Sequence, residues 1–500
     1  MGRKFISVLG ASNYKECIYG NGKEKFTTRF IQEAILDIHF KDATKEDKIL
    51  IFLTEGARKE NWVDKENVIE RYGIESTLRK NQISEEEIEK IKVTLGVSPN
   101  WKDKVTNKKG LENILKEKYP SEIVQSISID NGTNEDELWN IFVKILENIE
   151  DGDEIIFDIT HSFRSIPMQA LTVLSYAKAL KKITIKGIYY GAFEARDKET
   201  GVAPIFDLTV YNDILEWTNA VDSFIKYGKG DAIYELFEDI KKKKESNNDI
   251  SLRKSNLNNF SKNINDFTSA IYASRGNVIL DNAKEKKQSK IGKSIYWAAS
   301  ATKESLDKVK KESNIVVKPL IPLLDKVEEA ISDFCIKDNE EIGIATIKWC
   351  IEKGLIQQGY TALEETIKTY LCNKYGIPEV GEDMRDKVAK KVLNEMKKVK
   401  KDNKKENKNE DIRKYFKETI EYLENEDKKD NGERVYIYKK IKDTIPEEIV
   451  SLSNVSGFRN DMSHFGFTKE TLSYSKLANN LEEYFKEFID IREKYKGKTF

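Results

Sequence analysis

Cysteine, proline and histidine are scarce in this chain of 500 residues, which holds four, eight and three of them. The cysteines, Cys17, Cys335, Cys350 and Cys372, form no CxxC pair and no Cys/His ligand spacing, so neither a zinc site nor a disulfide framework is called for. They read as reduced core residues of a cytoplasmic protein. No apolar run reaches the roughly 18 residues of a membrane span. The N-terminal stretch MGRKFISVLGASNYK has too short an apolar run for a signal peptide. Net charge is missing as well: 85 Lys and Arg against 86 Asp and Glu leave −1 at pH 7. Attraction to nucleic acid, if any, must be local. GxGxxG and GxxxxGK[ST] are both absent, which leaves a dinucleotide cofactor or ATP with little support.

What is present divides along the chain. Up to residue 215, apolar strand runs alternate with amphipathic helical runs. KFISVLG (4–10), KILIFLT (48–54), SISI (126–129), EIIFDIT (154–160) and ITIKGIYYGAF (183–193) read as strands. Residues 27–40, 134–149 and 165–181 read as helices. Continuous apolar strands separated by helices predict a parallel-rich, Rossmann-like α/β sheet covered on both faces. Beyond residue 230 strand signals almost vanish, and an all-α region follows. We expect a connector over 216–340 and a last helical domain over 341–500. Residues 386–414, with 12 basic and 6 acidic residues, read as a solvated extension or, alternatively, as an arm that attracts RNA.

Open α/β sheets bind ligands beyond the carboxyl ends of their strands. Two polar loops fall there: Gly10-Ala11-Ser12-Asn13-Tyr14, and Thr160-His161-Ser162-Phe163-Arg164. The second runs into a helix with Pro167 in its first turn, and a helix N-terminus favours phosphate. Arg164 adds a permanent, bidentate cation, and Phe163 offers a stacking face. A third loop, Thr54 to Arg58, offers another arginine. Helix capping by Thr160, Ser162 and Ser165 is the simpler reading, but it leaves His161 and Arg164 without a role.

Near the other end, SGFRNDMSHFGF (456–467) holds Arg459 and His464 as R-x-x-x-x-H. Five helical residues turn the second side chain about 140° from the first, so the pair does not share one helix face. A two-fold dimer would still bring both copies into one cleft. Spacing alone is accounted for by a surface arginine and a core-edge histidine. The residue types nonetheless suit RNA cleavage: histidine titrates near neutrality, and arginine holds a phosphate. Asn460 and Ser463 are placed to position the backbone.

LGASNYKECIY, FDITHSFRSIPMQAL, GIYYGAFEAR, PIFDLT and WTNAVDSF resemble CRISPR-associated CARF-domain proteins. FRNDMSHFG resembles the R-x4-6-H motif of HEPN ribonucleases. Together they resemble the CARF–HEPN ribonucleases of type III CRISPR systems, in the Csx branch. The resemblance implies a CARF domain over 1–215 that binds a cyclic oligoadenylate, with cyclic tetra-adenylate the expected form. It also implies a homodimer or higher oligomer, and a composite HEPN site over 341–500 that cuts single-stranded RNA without metal in antiviral defence. By that resemblance the ligand residues are Gly10 to Asn13 and Thr160 to Arg164, and the catalytic residues are Arg459 and His464, with Asn460 and Ser463 beside them. GYTALEETIKTYL (359–371) resembles the earlier HEPN helix, with Glu364 and Glu365 as further candidates. The rival readings are a CARF-type transcription regulator, a non-catalytic HEPN scaffold and a nucleotide-dependent oxidoreductase.

Overall fold

The computed structural model describes residues 2–70, 84, 86–87, 90, 104–161, 166–245, 256–278, 294–311, 318–377, 385, 440–441, 444–446, 448–467 and 471–498. The chain divides into two compact units, Met1–Asp213 and Ile214–Phe500.

The first unit is built on an eight-stranded sheet, in the order β3-β2-β10-β9-β8-β1-β4-β7. Its strands are β1 Arg3–Leu9, β2 Cys17–Gly20, β3 Lys25–Thr28, β4 Lys48–Leu53, β7 Val124–Ser128, β8 Glu154–Asp158, β9 Thr184–Gly191 and β10 Val202–Asp207. The five from β9 to β7 run parallel. A separate antiparallel pair joins β5 Lys65–Glu70 to β6 Lys104–Lys108.

Side chains of successive strand residues point to opposite faces, and β1 shows both faces filled. Phe5 and Leu9 join Ile49 and Ile51 under α1 (Ile31–His39) and α2 (Leu111–Lys118). Ile6 and Val8 join Leu50 and Phe52 under α3 (Glu135–Glu147) and α4 (Ile166–Lys181). A sheet covered on both sides needs apolar residues at every position, which is why these strands read as unbroken runs. One expectation is corrected. Residues 27 and 28 close β3 against β2, so α1 starts at Ile31; pairing at the sheet edge overrides the helical pattern there.

From β1 the chain winds outward through β4 and β7, then returns through β8 and β9 on the other side. The winding therefore reverses between β1 and β8, whose register pairs Ser7 with Asp158. At such a reversal the two outgoing connections leave in opposite directions, opening a crevice at the carboxyl ends. The two polar loops lie at this point.

Among the described residues the second unit is helical. A first core gathers α5 Thr209–Tyr227, α6 Asp231–Glu245, α7 Asn256–Tyr272, α8 Ile295–Lys310 and α9 Ile321–Ile331 around Phe224, Phe260 and Phe267. A second core packs α11 Ile356–Tyr375 against α12 Ile449–Leu452, α13 Val455–Ser463 and α14 Tyr474–Lys494. Helix α10 (Asn339–Lys353) ends at Gly354, whose φ of 69° gives the left-handed cap that turns the chain into α11. No described helix is long and apolar enough to cross a membrane.

Candidate functional site

In the first unit a buried carboxylate organises the strand ends. Asp158, at the end of β8, is fully buried. It accepts from the Ser7 hydroxyl at 2.7 Å, and from the Thr160 amide and hydroxyl at 2.9 and 2.6 Å. Burial pushes its pKa up, and the bonds from Thr160 and Ser7 oppose that shift. The Thr160 oxygen also receives the Gly191 amide at 2.8 Å, which ties the loop to β9. The Thr160 side chain thus braces the sheet, and this role was not legible from the loop alone.

His161 stacks on Tyr14 at a centroid distance of 4.1 Å and 25° between planes, so the two loops meet through their rings. Burial lowers the His161 pKa to about 4, and its Nε2 is buried with no hydrogen-bond partner. The imidazole is therefore neutral at physiological pH, with one ring nitrogen unused. The Tyr14 hydroxyl accepts the Gly10 amide at 2.8 Å. A Cβ on Gly10 would lie 2.5 Å from that oxygen, so this close approach requires glycine.

Asn61, almost fully buried, donates to the carbonyls of Gly10 and Ser12 at 2.9 and 2.8 Å. Asn13 accepts from Lys108 at 3.4 Å. Ser12 and Ala11 are exposed. Sequence reasoning missed Asn61, which lies far along the chain and carries no motif; Tyr14 was read as part of the first loop, but its stack on His161 was not foreseen. The arginine of the third loop, Arg58, turns to the hydroxyls of Ser126 and Ser128, each at 3.2 Å. Ser162, Phe163 and Arg164 lie outside the described residues, as does 386–414.

In the second unit, Phe458 seats α13 by packing between Tyr360 of α11 and Tyr484 of α14, at 5.6 and 5.7 Å. That seat brings Arg459 over α11, where its Nε lies 3.1 Å from Oε2 of Glu364. Neither atom has a hydrogen-bond partner, so the contact is an ion pair without hydrogen-bond alignment. Glu364 also pairs with Lys368 one turn on, at 3.0 Å, and both side chains are buried. Lys368 meets Glu365 at 2.7 Å, and Glu365 meets Arg385 at 3.0 Å. Burial acts to raise the Glu365 pKa, but Lys368 and Arg385 bring it below the ordinary carboxylate range. Isolated buried charges are costly, and here each has an opposite partner.

His464 follows at the end of α13, exposed, its amide bonded to the Asn460 carbonyl at 2.9 Å. Asn460 Oδ1 accepts from Arg459 at 3.2 Å, and the Ser463 hydroxyl donates to the Arg459 carbonyl at 2.9 Å. These four residues share one helix end. The result is a cation anchored from below and an exposed imidazole in the next turn.

Residues 4–194 match the family model described as the CARF domain of the CRISPR system endoribonuclease Csx1. The first unit carries a CARF domain. After this CARF domain, residues 213–339 match a second model, described as the second domain of the CRISPR-associated protein MJ1674. A relative named CRISPR-associated protein MJ1674, from Methanocaldococcus jannaschii, is 30% identical over 259 residues. That match spans 50% of this chain and only 34% of the relative. Among solved structures, Enterococcus italicus Csm6 bound to cyclic hexa-2'-fluoro-hexa-dAMP aligns over 98% of this chain and 93% of its own. The identity is 11% and the TM-score 0.28, too low to carry a statement about fold.

Proposed function

We propose that this chain is a homodimeric ribonuclease of type III CRISPR defence, switched on by a cyclic oligoadenylate held in its CARF domain. The observation that carries the reading is the end of α13, where Arg459 rests on buried Glu364 and His464 stands exposed. A nucleic-acid phosphate needs a fixed cation, and the transfer needs a group that exchanges protons near pH 7.

In this reading residues 341–500 form a HEPN domain, residues 216–340 connect it to the sensor, and two chains share one cleft. The RNA 2′-oxygen attacks phosphorus and loses its proton while the P–O5′ bond breaks. The leaving oxygen gains a proton, and the imidazole of His464 serves one of these transfers. Arg459 offsets charge on the non-bridging oxygens. Every group invoked belongs to the chain, so the reaction is expected to proceed without metal.

On the sensor side, the crevice between β1 and β8 suits a ligand with phosphates and bases. The exposed loop tip at Ser12, the helix start at Ile166 and the free Nε2 of His161 support that choice. Pairing of two copies is supported by α3 and α4, which leave Trp139, Val143, Met168, Leu171, Tyr176 and Leu180 exposed. Single exposed apolar residues are ordinary, but a group of this kind marks an interaction surface. The test is activator-dependent cleavage of labelled single-stranded RNA in EDTA. DNA binding without cleavage would favour a transcription regulator instead.

A further inference from the structure

The turn that follows His464 exposes two aromatic rings. Phe465 is 88% and Phe467 89% exposed, the highest values among the large hydrophobic side chains described. Their centroids lie 6.4 Å apart with 27° between the planes. The display is built rather than loose. Gly466 donates to the Asp461 carbonyl at 3.1 Å, Phe465 to Met462 at 3.0 Å, and Phe467 to His464 at 3.0 Å. The Thr471 hydroxyl closes the turn on the Gly466 carbonyl at 2.5 Å. Phe465 sits at φ 55° and Gly466 at 74°. A left-handed conformation is rare for a bulky residue, and such strain concentrates at functional positions.

We infer that Phe465 and Phe467 form a stacking platform for a nucleobase of single-stranded RNA beside the scissile phosphate. This inference rests on the ribonuclease reading above and names how that site holds its substrate. Three observations select the occupant. The ring planes lie within 27° of one another and both rings are exposed, so a flat base can lie against either of them. The platform follows directly on His464, whose carbonyl receives the Phe467 amide; a base held here leaves its phosphate near the candidate catalytic group. The rings by themselves offer about 400 Å², enough to cover a base and short of the roughly 800 Å² per partner of a standard interface. Every base has a π-face, so such a platform adds affinity with little sequence preference.

The experiment uses the full-length chain with cyclic tetra-adenylate present. KM and kcat are measured for an RNA oligonucleotide, and for the same oligonucleotide carrying one abasic residue at successive positions around the cut. Parent, the Phe465→Ala/Phe467→Ala double variant and the corresponding double Trp variant are compared. Loss of the stack should raise KM about 5- to 100-fold in the double Ala variant, with kcat changed far less and the Trp variant close to the parent. In the parent, one abasic position should reproduce the loss; in the double Ala variant the same position should add little. Unchanged KM with an active parent would overturn the platform alone. A double Ala variant that sediments as a smaller species would also overturn it, making the rings a subunit contact. An inactive parent would remove the ribonuclease reading and the platform together.

Discussion

Arg459 of α13 and Glu364 of α11 approach to 3.1 Å as an ion pair, while Lys368 holds the same carboxylate at 3.0 Å from the next turn. Glu364 thus balances two cations, one buried and one a third exposed at the surface. Glu364→Gln leaves Arg459 without its anchor and Lys368 with Glu365 alone. We expect a loss of about 1–3 kcal/mol in stability, at the lower end for a buried pair because Arg459 meets solvent. Cleavage should fall further than stability does. Denaturant unfolding and cleavage rates on one preparation separate the two effects. Equal stability and rate in variant and parent would show that the pair positions nothing.

His464 is exposed, so its removal should leave the fold intact. His464→Ala is expected to reduce RNA cleavage about 10²–10⁴-fold, the range of a lost acid–base group, while activator binding persists. Arg459→Lys should not restore an Arg459→Ala defect, because an ammonium lacks the planar fork. Wild-type cleavage by His464→Ala would remove the HEPN assignment.

The proposed regulation is tested at the strand-end loop. Arg164→Ala should weaken cyclic oligoadenylate binding by about 1.5–3 kcal/mol, the scale of a lost charged hydrogen bond. His161→Ala should have a smaller effect, since its imidazole is neutral. Dose–response curves of cleavage against activator should shift rightward with the plateau largely kept. An overlay of Arg164→Ala on the parent would place the activator elsewhere.

His161 also makes an acid-stability prediction. Its folded pKa of about 4 lies below the ordinary histidine value of 6.5 that the unfolded chain keeps, so between these limits the unfolded chain binds more protons. Stability from this group is therefore complete above about pH 6.5 and declines as pH falls toward 4, by about 3 kcal/mol in all. His161→Phe keeps a ring on Tyr14 and removes the titration. The variant should lose less stability than the parent across this window in urea melts at stepped pH. Parallel pH profiles would show that the imidazole is not buried as described.

The strands whose side chains are buried on both faces, β1, β4, β8 and β9, were legible as apolar runs. The last two strands at one end of the sheet, β2 and β3, were not. CIYG and KFTT are four residues each and acquire strand character only by pairing with β10 and with one another. The polar loops were legible by residue type, but what fixes them was not. Asn61 reaches Gly10 across 51 positions, and Ser7 reaches Asp158 across 151; no local pattern encodes such bonds. At the other end, Glu364 and Glu365 were legible as a pair of candidates. Only the packing of α13 through Phe458 decides that Glu364 takes Arg459, while Glu365 turns to Arg385.

The most direct measurement is cleavage of a labelled single-stranded RNA by the full-length chain in EDTA, with and without cyclic tetra-adenylate, alongside His464→Ala. Rapid cleavage by the parent only with the cyclic nucleotide, and cleavage about 10²–10⁴-fold slower by His464→Ala, is the predicted result. RNA left intact by the activated parent, or cut equally well by the variant, would contradict the account.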